Sequence, residues 1–226
     1  MHQKTWTAVD VYLNAKLGNS DSVLEATLAA NAEARLPAFD VAPNQGKLLY
    51  LLAKMSGAKR ILEIGTLGRY STIWLARAAS AGGIVLTLES EPRHVEVAAE
   101  NIRRAKLACK VNIRSGPALE TLEHLVKEEI EPFDFVFIDA DKPNNPAYLT
   151  WVMKLSHPGT VIIVDNVIRE GVIVEAENSD PRVQGVRKFF DKIANDTRLE
   201  TTAVQTVGSK GYDGFALAIV RDSPSL

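Results

Sequence analysis

The sequence predicts an α/β fold: a doubly wound, mostly parallel sheet of seven strands, the last antiparallel, preceded by N-terminal helices. Three observations predict it. From Lys59 onward, short apolar runs alternate with stretches of helical periodicity, the pattern of a wound parallel sheet. The run Phe133 to Ile138 is too short, too aromatic and too β-branched for a buried helix, and a strand apolar on both faces belongs to a parallel sheet. The last two runs, Thr201 to Val207 and Phe215 to Val220, are joined by Gly208 to Gly214 with no helix between them, so they pair antiparallel.

The elements follow in order. Trp6 to Leu17 reads as a helix, and the capping residues Asn19 to Ser22 open a second that runs to Arg35. Leu36 to Asn44, with Pro37 and Pro43, reads as a loop. A third helix spans Gln45 to Ser56, with Leu48, Leu49, Leu52 and Met55 at helical spacing and Gly57 ending it. These helices precede the first strand and are expected to cap an edge of the sheet. Arg60 to Ile64 is strand one, and Ser71 to Ala81 a helix. Ile84 to Leu88 is strand two, followed by a helix from Pro92, a residue suited to a first turn, to Leu107. Val111 to Arg114 is strand three, Ala118 to Glu129 a helix, and Phe133 to Ile138 strand four. Asn145 to Leu155 is a helix, Val161 to Val164 strand five, and Arg182 to Ala194 the last helix. No linker, repeat or low-complexity segment interrupts the chain, so residues 1–226 are expected to form a single domain, with 1–57 as its helical cap.

Composition narrows the function. A chain of 226 residues with 46% hydrophobic and 24% charged content is ordinary for a globule. A net charge of −2 gives no electrostatic reason to expect a nucleic-acid binder, which would usually show a basic face. The longest apolar run, Leu48 to Ala53, falls far short of the ~18 residues of a membrane span. The N-terminus lacks the apolar core of a signal peptide, and a cytoplasmic protein is expected. The single cysteine, Cys109, excludes an internal disulfide and a cysteine-cluster metal site. The four histidines show no ligand spacing.

Ligands of open parallel sheets collect beyond the carboxyl ends of the strands, and here those ends carry acids. Strand one ends Glu63-Ile64-Gly65 and continues Thr66-Leu67-Gly68-Arg69-Tyr70-Ser71, a glycine-bearing turn that lets a ligand approach the backbone. It is neither Gly-x-Gly-x-x-Gly nor a Walker loop, and Glu63 suits a cofactor with positive charge better than one with a pyrophosphate. Glu89 closes strand two, where an acid commonly accepts the two hydroxyls of a ribose. Strand four ends at Asp139, with Asp141 and Lys142 on the loop beyond, and strand five ends Asp165-Asn166. Two carboxylates and an amide are hard donors that suit Mg2+ or Ca2+ and fit zinc poorly. Adjacent strands lie about 5 Å apart, so these groups can share one ion. Each feature has a plainer alternative: a solvated acidic turn, a surface glutamate, an Asp-Asn turn pair.

Together the residues resemble the class I S-adenosylmethionine-dependent O-methyltransferases, in the cation-dependent group related to catechol and caffeoyl-CoA O-methyltransferases, and most of all its bacterial members. The likeness runs from about Asn44 to Val220. It rests on Leu62 to Thr66, Gly68 to Thr72, Ile138 to Lys142, Asp165-Asn166 and the closing Gly208 to Phe215. The resemblance implies that Val41, Glu63, Gly65, Thr66 and Ser71 contact the methionine part of the cofactor. It implies that Glu89 holds the ribose, that Ala118 borders the adenine, and that Asp139, Asp165 and Asn166 bind the divalent ion. Lys142 matches the family's catalytic lysine. It further implies a seven-stranded sheet with an antiparallel last strand, a small phenolic substrate with adjacent hydroxyls, and a homodimer. Arg69 departs from the pattern, since glycine is frequent at that position in the family.

Two readings from other classes compete. An NAD-dependent dehydrogenase would use Glu89 in the same way, but the missing Gly-x-Gly-x-x-Gly and the acids ending strands four and five argue against it. A non-catalytic adenosyl-binding protein would act through partners, and the presence of Asp139, Lys142, Asp165 and Asn166 argues against that. Methylation of RNA is disfavoured by the absence of a basic surplus.

Overall fold

The computed structural model describes residues 2–79 and 82–222. Seven strands, β1 (Arg60–Ile64), β2 (Ile84–Glu89), β3 (Lys110–Ser115), β4 (Phe133–Ile138), β5 (Ser156–Asp165), β6 (Leu199–Gly208) and β7 (Gly211–Val220), form one sheet in the order β3-β2-β1-β4-β5-β7-β6. The first five strands are mutually parallel, and β7 is antiparallel to both β5 and β6. The strand order reverses between β1 and β4, the switch point at which such sheets open a crevice.

Strand periodicity divides the core in two. Along β4, Phe133, Val136 and Ile138 face one side and Phe135 and Phe137 the other, all but fully buried. The first side is covered by α6 (Ala118–Lys127), α7 (Asn145–Lys154) and α8 (Pro181–Ala194), through Leu122, Leu149, Val186 and Phe189. The second is covered by α2 (Ser22–Glu33), α3 (Pro43–Met55) and α4 (Tyr70–Ala78), through Leu24, Leu49, Ile73 and Trp74. Each large apolar side chain so buried contributes on the order of 1.5–3 kcal/mol. Helix α5 (Pro92–Ala105) packs against β2 and β3.

Helix α1 (His2–Leu17) is held to the far edge of the sheet by one buried acid. Asp10 accepts hydrogen bonds from Asn44 Nδ2 at 3.0 Å and from the Ser209 backbone at 2.6 Å, tying α1 to the start of α3 and to the β6–β7 turn. The N-terminal helix is thereby tethered to α3 and to the β6–β7 edge of the sheet.

Several boundaries differ from the sequence reading, three of them for a clear physical reason. Strand β5 begins at Ser156 instead of Val161. Ser156 opposes Phe133 and Val161 opposes Phe135, so the intervening Pro158 and Gly159 are taken up in an irregularity of the ladder. The β6–β7 connection is a two-residue turn at Ser209-Lys210, with Gly208 paired to Gly211, and Tyr212 to Gly214 belong to the strand. The helix expected from Ser71 to Ala81 runs Tyr70–Ala78, because Ala79 has left helical geometry (φ −60°, ψ 129°); Ala81 lies outside the described residues.

Candidate active site

Register brings the strand ends level. Ile64 lies opposite Leu88 on one side and Ile138 on the other, and Ile138 lies opposite Val164. One residue further on, Gly65, Glu89, Asp139 and Asp165 therefore form a row. Backbone bonds lock it: Gly65 N donates to Leu88 O at 3.0 Å, and Asp139 N donates to Ile64 O at 2.9 Å. Gly65 has φ 97°, and a Cβ there would stand 2.0 Å from the Asp139 carbonyl oxygen, so only glycine lets the loop after β1 cross the end of β4.

Glu63 and Thr87 are direct cross-strand partners on the face covered by α4. The Glu63 carboxylate is fully buried and accepts from Ser71 Oγ at 2.6 Å, Thr87 Oγ1 at 2.7 Å and Thr72 Oγ1. Burial pushes its pKa up, against the pull of the three hydroxyls and of Arg69. Glu63 thus fastens the first turn of α4 to β1 and β2. Thr66 is buried and donates through Oγ1 to Leu88 O at 3.0 Å.

Glu89 is the hub of the loop. Its Oε2 accepts the backbone N–H groups of Thr66 at 3.2 Å and Leu67 at 2.7 Å, its Oε1 accepts that of Glu91 at 3.0 Å, and His94 Nδ1 lies 3.4 Å away. The carboxylate that would receive ribose hydroxyls also shapes the turn above Gly65. Val41 is buried in the loop before α3, Ser71 is half-buried at the start of α4, and Ala118 is half-buried at the start of α6.

Beyond β4, a 3-10 turn (Lys142–Asn144) swings a lysine back to the strand end. Lys142, only 7% exposed, donates from Nζ to Asp139 Oδ1 at 2.9 Å. Its place is fixed by α8, where a Cβ on Gly185 would lie 2.3 Å from the Lys142 carbonyl oxygen. Asp141 serves the turn itself, accepting from Asn144 Nδ2 at 2.6 Å and from the Tyr148 hydroxyl.

Next to this pair lies Asp165, 3% exposed. Gln45 Nε2 donates to its Oδ2 at 2.7 Å, and the backbone N–H of Asn166 to its Oδ1 at 2.8 Å. Burial and then the nearby Asp139 charge raise its pKa to about 7, with Lys142 opposing. Asn166 follows with a left-handed backbone (φ 54°), and Val167 N still donates to Gly214 O of β7 at 3.0 Å.

Among the described residues, no three carboxylate, imidazole or thiolate side chains converge on a point. A metal here would rest on two carboxylates and an amide. Those donors fit a hard divalent cation, because they are all oxygen donors and two neighbouring carboxylates face a single ammonium. The adenosyl side fits as well: an acid ends β2, a glycine ends β1, and the guanidinium of Arg69 is buried with Nε and Nη2 lacking hydrogen-bond partners among the described residues.

The residues read from the sequence thus gather at one end of the sheet. Gln45, Thr72, Thr87 and the buried state of Arg69 were not foreseen. Thr87 lies two residues before Glu89 on the same face of β2, a period-2 signal that could have flagged it. Gln45 carries no such signal.

A parallel sheet whose order reverses between β1 and β4, with an acid ending β2 and a lysine–carboxylate cluster beyond β4, has the layout of enzymes that bind a nucleoside cofactor at the carboxyl ends of their strands. The O-methyltransferase family matches residues 16–219, and the chain belongs to that family. The catechol O-methyltransferase of Niastella koreensis is 48% identical over 98% of this chain and 100% of its own. That of Mycobacterium tuberculosis is 51% identical over 94% and 95%. The solved structure of the O-methyltransferase from Bacillus cereus in complex with SAH superposes with a TM-score of 0.95 at 57% identity, covering 97% of this chain and 100% of that one. The protein is an S-adenosylmethionine-dependent O-methyltransferase with a Rossmann-like sheet. No helix among the described residues is long and apolar enough to cross a membrane.

Proposed function

We propose that this enzyme methylates one hydroxyl of a small catechol-like phenol, with the help of a divalent cation such as Mg2+ held by Asp139, Asp165 and Asn166. The observation that carries the reading is the ion pair of buried Lys142 with half-buried Asp139, lying against the buried Asp165, two strands from Glu89. The catechol O-methyltransferase names of relatives at 48% and 51% identity support the substrate class.

In this reading Glu89 anchors the cofactor's ribose, and the loop Gly65 to Ser71 carries its methionine part, with Val41 beside it. Ala118 borders the adenine. A catechol hydroxyl has a pKa near that of tyrosine, about 10, and is barely ionised at neutral pH. When bound, the cation would favour the ionised hydroxyl and orient the diol. Lys142 Nζ is placed to take the hydroxyl proton, and Asp139 holds the amine in position. The acceptor oxygen then displaces the sulfonium sulfur at the methyl carbon: the C–O bond forms, the C–S bond breaks, and the sulfur leaves as a thioether. The donor is already activated, so the protein mainly supplies alignment, worth on the order of 7–11 kcal/mol. The whole chain, 1–226, acts as one unit in this reading, as a cytoplasmic homodimer.

A methyl-transfer assay on catechol and on phenol, each with Mg2+ or with EDTA, tests the proposal. Product is expected from catechol with Mg2+ alone. Equal turnover of phenol would overturn the diol preference, and equal turnover in EDTA would remove the cation.

A further inference from the structure

Gln45 brings the helical cap into contact with the carboxylate cluster. It is the third residue of α3, and its Nε2 donates to Asp165 Oδ2 at 2.7 Å across 120 residues of sequence. The first turn of α3 is held from several sides. Asn44 Oδ1 accepts the Gln45 backbone N–H at 3.0 Å, and Asn44 Nδ2 donates to the buried Asp10 of α1. Gly46 N donates to Ala42 O at 2.9 Å, and a Cβ on Gly46 would stand 2.3 Å from the Trp74 side chain of α4. The Gln45 amide therefore reaches Asp165 from a fixed backbone.

Asp165 is gripped at both oxygens by neutral donors. Its Oδ1 accepts the Asn166 backbone N–H at 2.8 Å, and its Oδ2 accepts Gln45. A carboxylate oxygen has two lone pairs, so each oxygen keeps one for a further ligand. Asp139, by contrast, is met by the ammonium of Lys142 at 2.9 Å. A second ammonium beside Asp165 would balance the two carboxylates and repel an incoming cation. An amide fixes the carboxylate without doing so.

We infer that Gln45 is a positioning residue for the divalent cation: its amide orients the Asp165 carboxylate and, being neutral, leaves the charge of that carboxylate to the metal. Groups that hydrogen-bond a ligating carboxylate fix its direction and so tune the metal's affinity. The role needs both the length and the neutrality of glutamine. The same turn of α3 is tied through Asn44 and Asp10 to α1, so the N-terminal helix is linked to the cation site by consecutive hydrogen-bonded residues. The inference rests on the proposed cation site at Asp139, Asp165 and Asn166.

Calorimetric titration of the metal-stripped protein with Mg2+ tests it, beside titration with S-adenosylhomocysteine and thermal melting without metal. Gln45→Met keeps the length and loses the donor. It should weaken Mg2+ binding by roughly 10- to 100-fold and leave affinity for S-adenosylhomocysteine within a few-fold of wild type. Gln45→Lys separates positioning from simple clamping. It returns a donor to Asp165 but brings a charge, so without metal it should melt no lower than Gln45→Met, yet bind Mg2+ more weakly still. If Gln45→Met binds Mg2+ as wild type does, or weakens both ligands alike, or if Gln45→Lys restores wild-type Mg2+ affinity, Gln45 only joins α3 to β5 and the inference is wrong. Failure of wild type to bind Mg2+ would overturn the cation site itself, and this inference with it.

Discussion

An aspartate stands near each end of strand β4, Asp134 as its second residue and Asp139 just beyond it, and the two live under opposite conditions. Asp134, at its start, is saturated. Its Oδ2 accepts the backbone N–H groups of Lys59 and Arg60, both at 2.8 Å, and its Oδ1 faces His157 Nε2 at 2.9 Å. Burial raises its pKa, but the Arg60 N–H, His157 and the Lys59 N–H outweigh that and hold it below the usual carboxylate range. Asp139, at the other end, meets one ammonium and shares its surroundings with a second acid, Asp165, whose pKa is driven up to about 7. The first arrangement is complete and stitches the starts of β1, β4 and β5 together. The second is short of positive charge, a state that costs stability and is retained where a ligand completes it.

The largest separation between the two ends should come from Lys142→Ala. Removing the group assigned to proton transfer should cut turnover of catechol by about 10²- to 10⁴-fold. Affinity for S-adenosylhomocysteine, read by calorimetry, should stay within a few-fold of wild type. Unchanged turnover would remove Lys142 from the chemistry. Asp134→Ala should do the reverse, leaving the Lys59 and Arg60 backbone donors without their acceptor. A loss of roughly 1–3 kcal/mol in chemical denaturation is expected, with turnover per folded molecule unchanged.

The smallest effect concerns pH. The hydrogen bond that His157 donates to Asp134 raises the His157 pKa above its ordinary 6.5, aided by the Pro158 carbonyl. A histidine whose pKa rises on folding adds stability that is fully present below its unfolded value. That stability fades as pH climbs through the folded value. His157→Gln should therefore destabilise the protein more at pH 6 than at pH 9. The ring is more than a third exposed, so the difference should stay within the few tenths of a kcal/mol usual for solvated pairs. Equal destabilisation at both pH values would mean that the pair carries no charge-dependent stability.

The same contrast separates what the sequence displayed from what it hid. Strands β1 and β4 were legible residue for residue, because apolar runs bounded by Lys59 and Gly65, or by Pro132 and Asp139, leave no other reading. The start of β5 was hidden by Pro158 and Gly159, which signal a turn but sit in a ladder irregularity. Tyr212 to Gly214 looked like loop and proved to be strand, since the hairpin closes in only two residues. In the site, acids at strand ends were visible as a pattern, while the role of Lys142 came from resemblance alone. Gln45 was out of reach, because its partner Asp165 is 120 residues away and only the fold brings them together. Arg69 was visible as a departure from the family pattern but not as a buried cation, because arginine is ordinarily a surface residue.

The central claim is that the excess of carboxylate at the end of β4 and β5 exists to hold a divalent cation. Its most direct test is the melting temperature of the metal-stripped protein as Mg2+ is added, in wild type, Asp165→Asn and Asp134→Asn. A cation that binds only the folded state at 100 times its Kd adds about 2.7 kcal/mol. The account predicts that the wild-type melting temperature climbs with Mg2+, that Asp134→Asn climbs in parallel from a lower start, and that Asp165→Asn stays flat. A rise in Asp165→Asn equal to that of wild type, or a flat response in wild type, would contradict it.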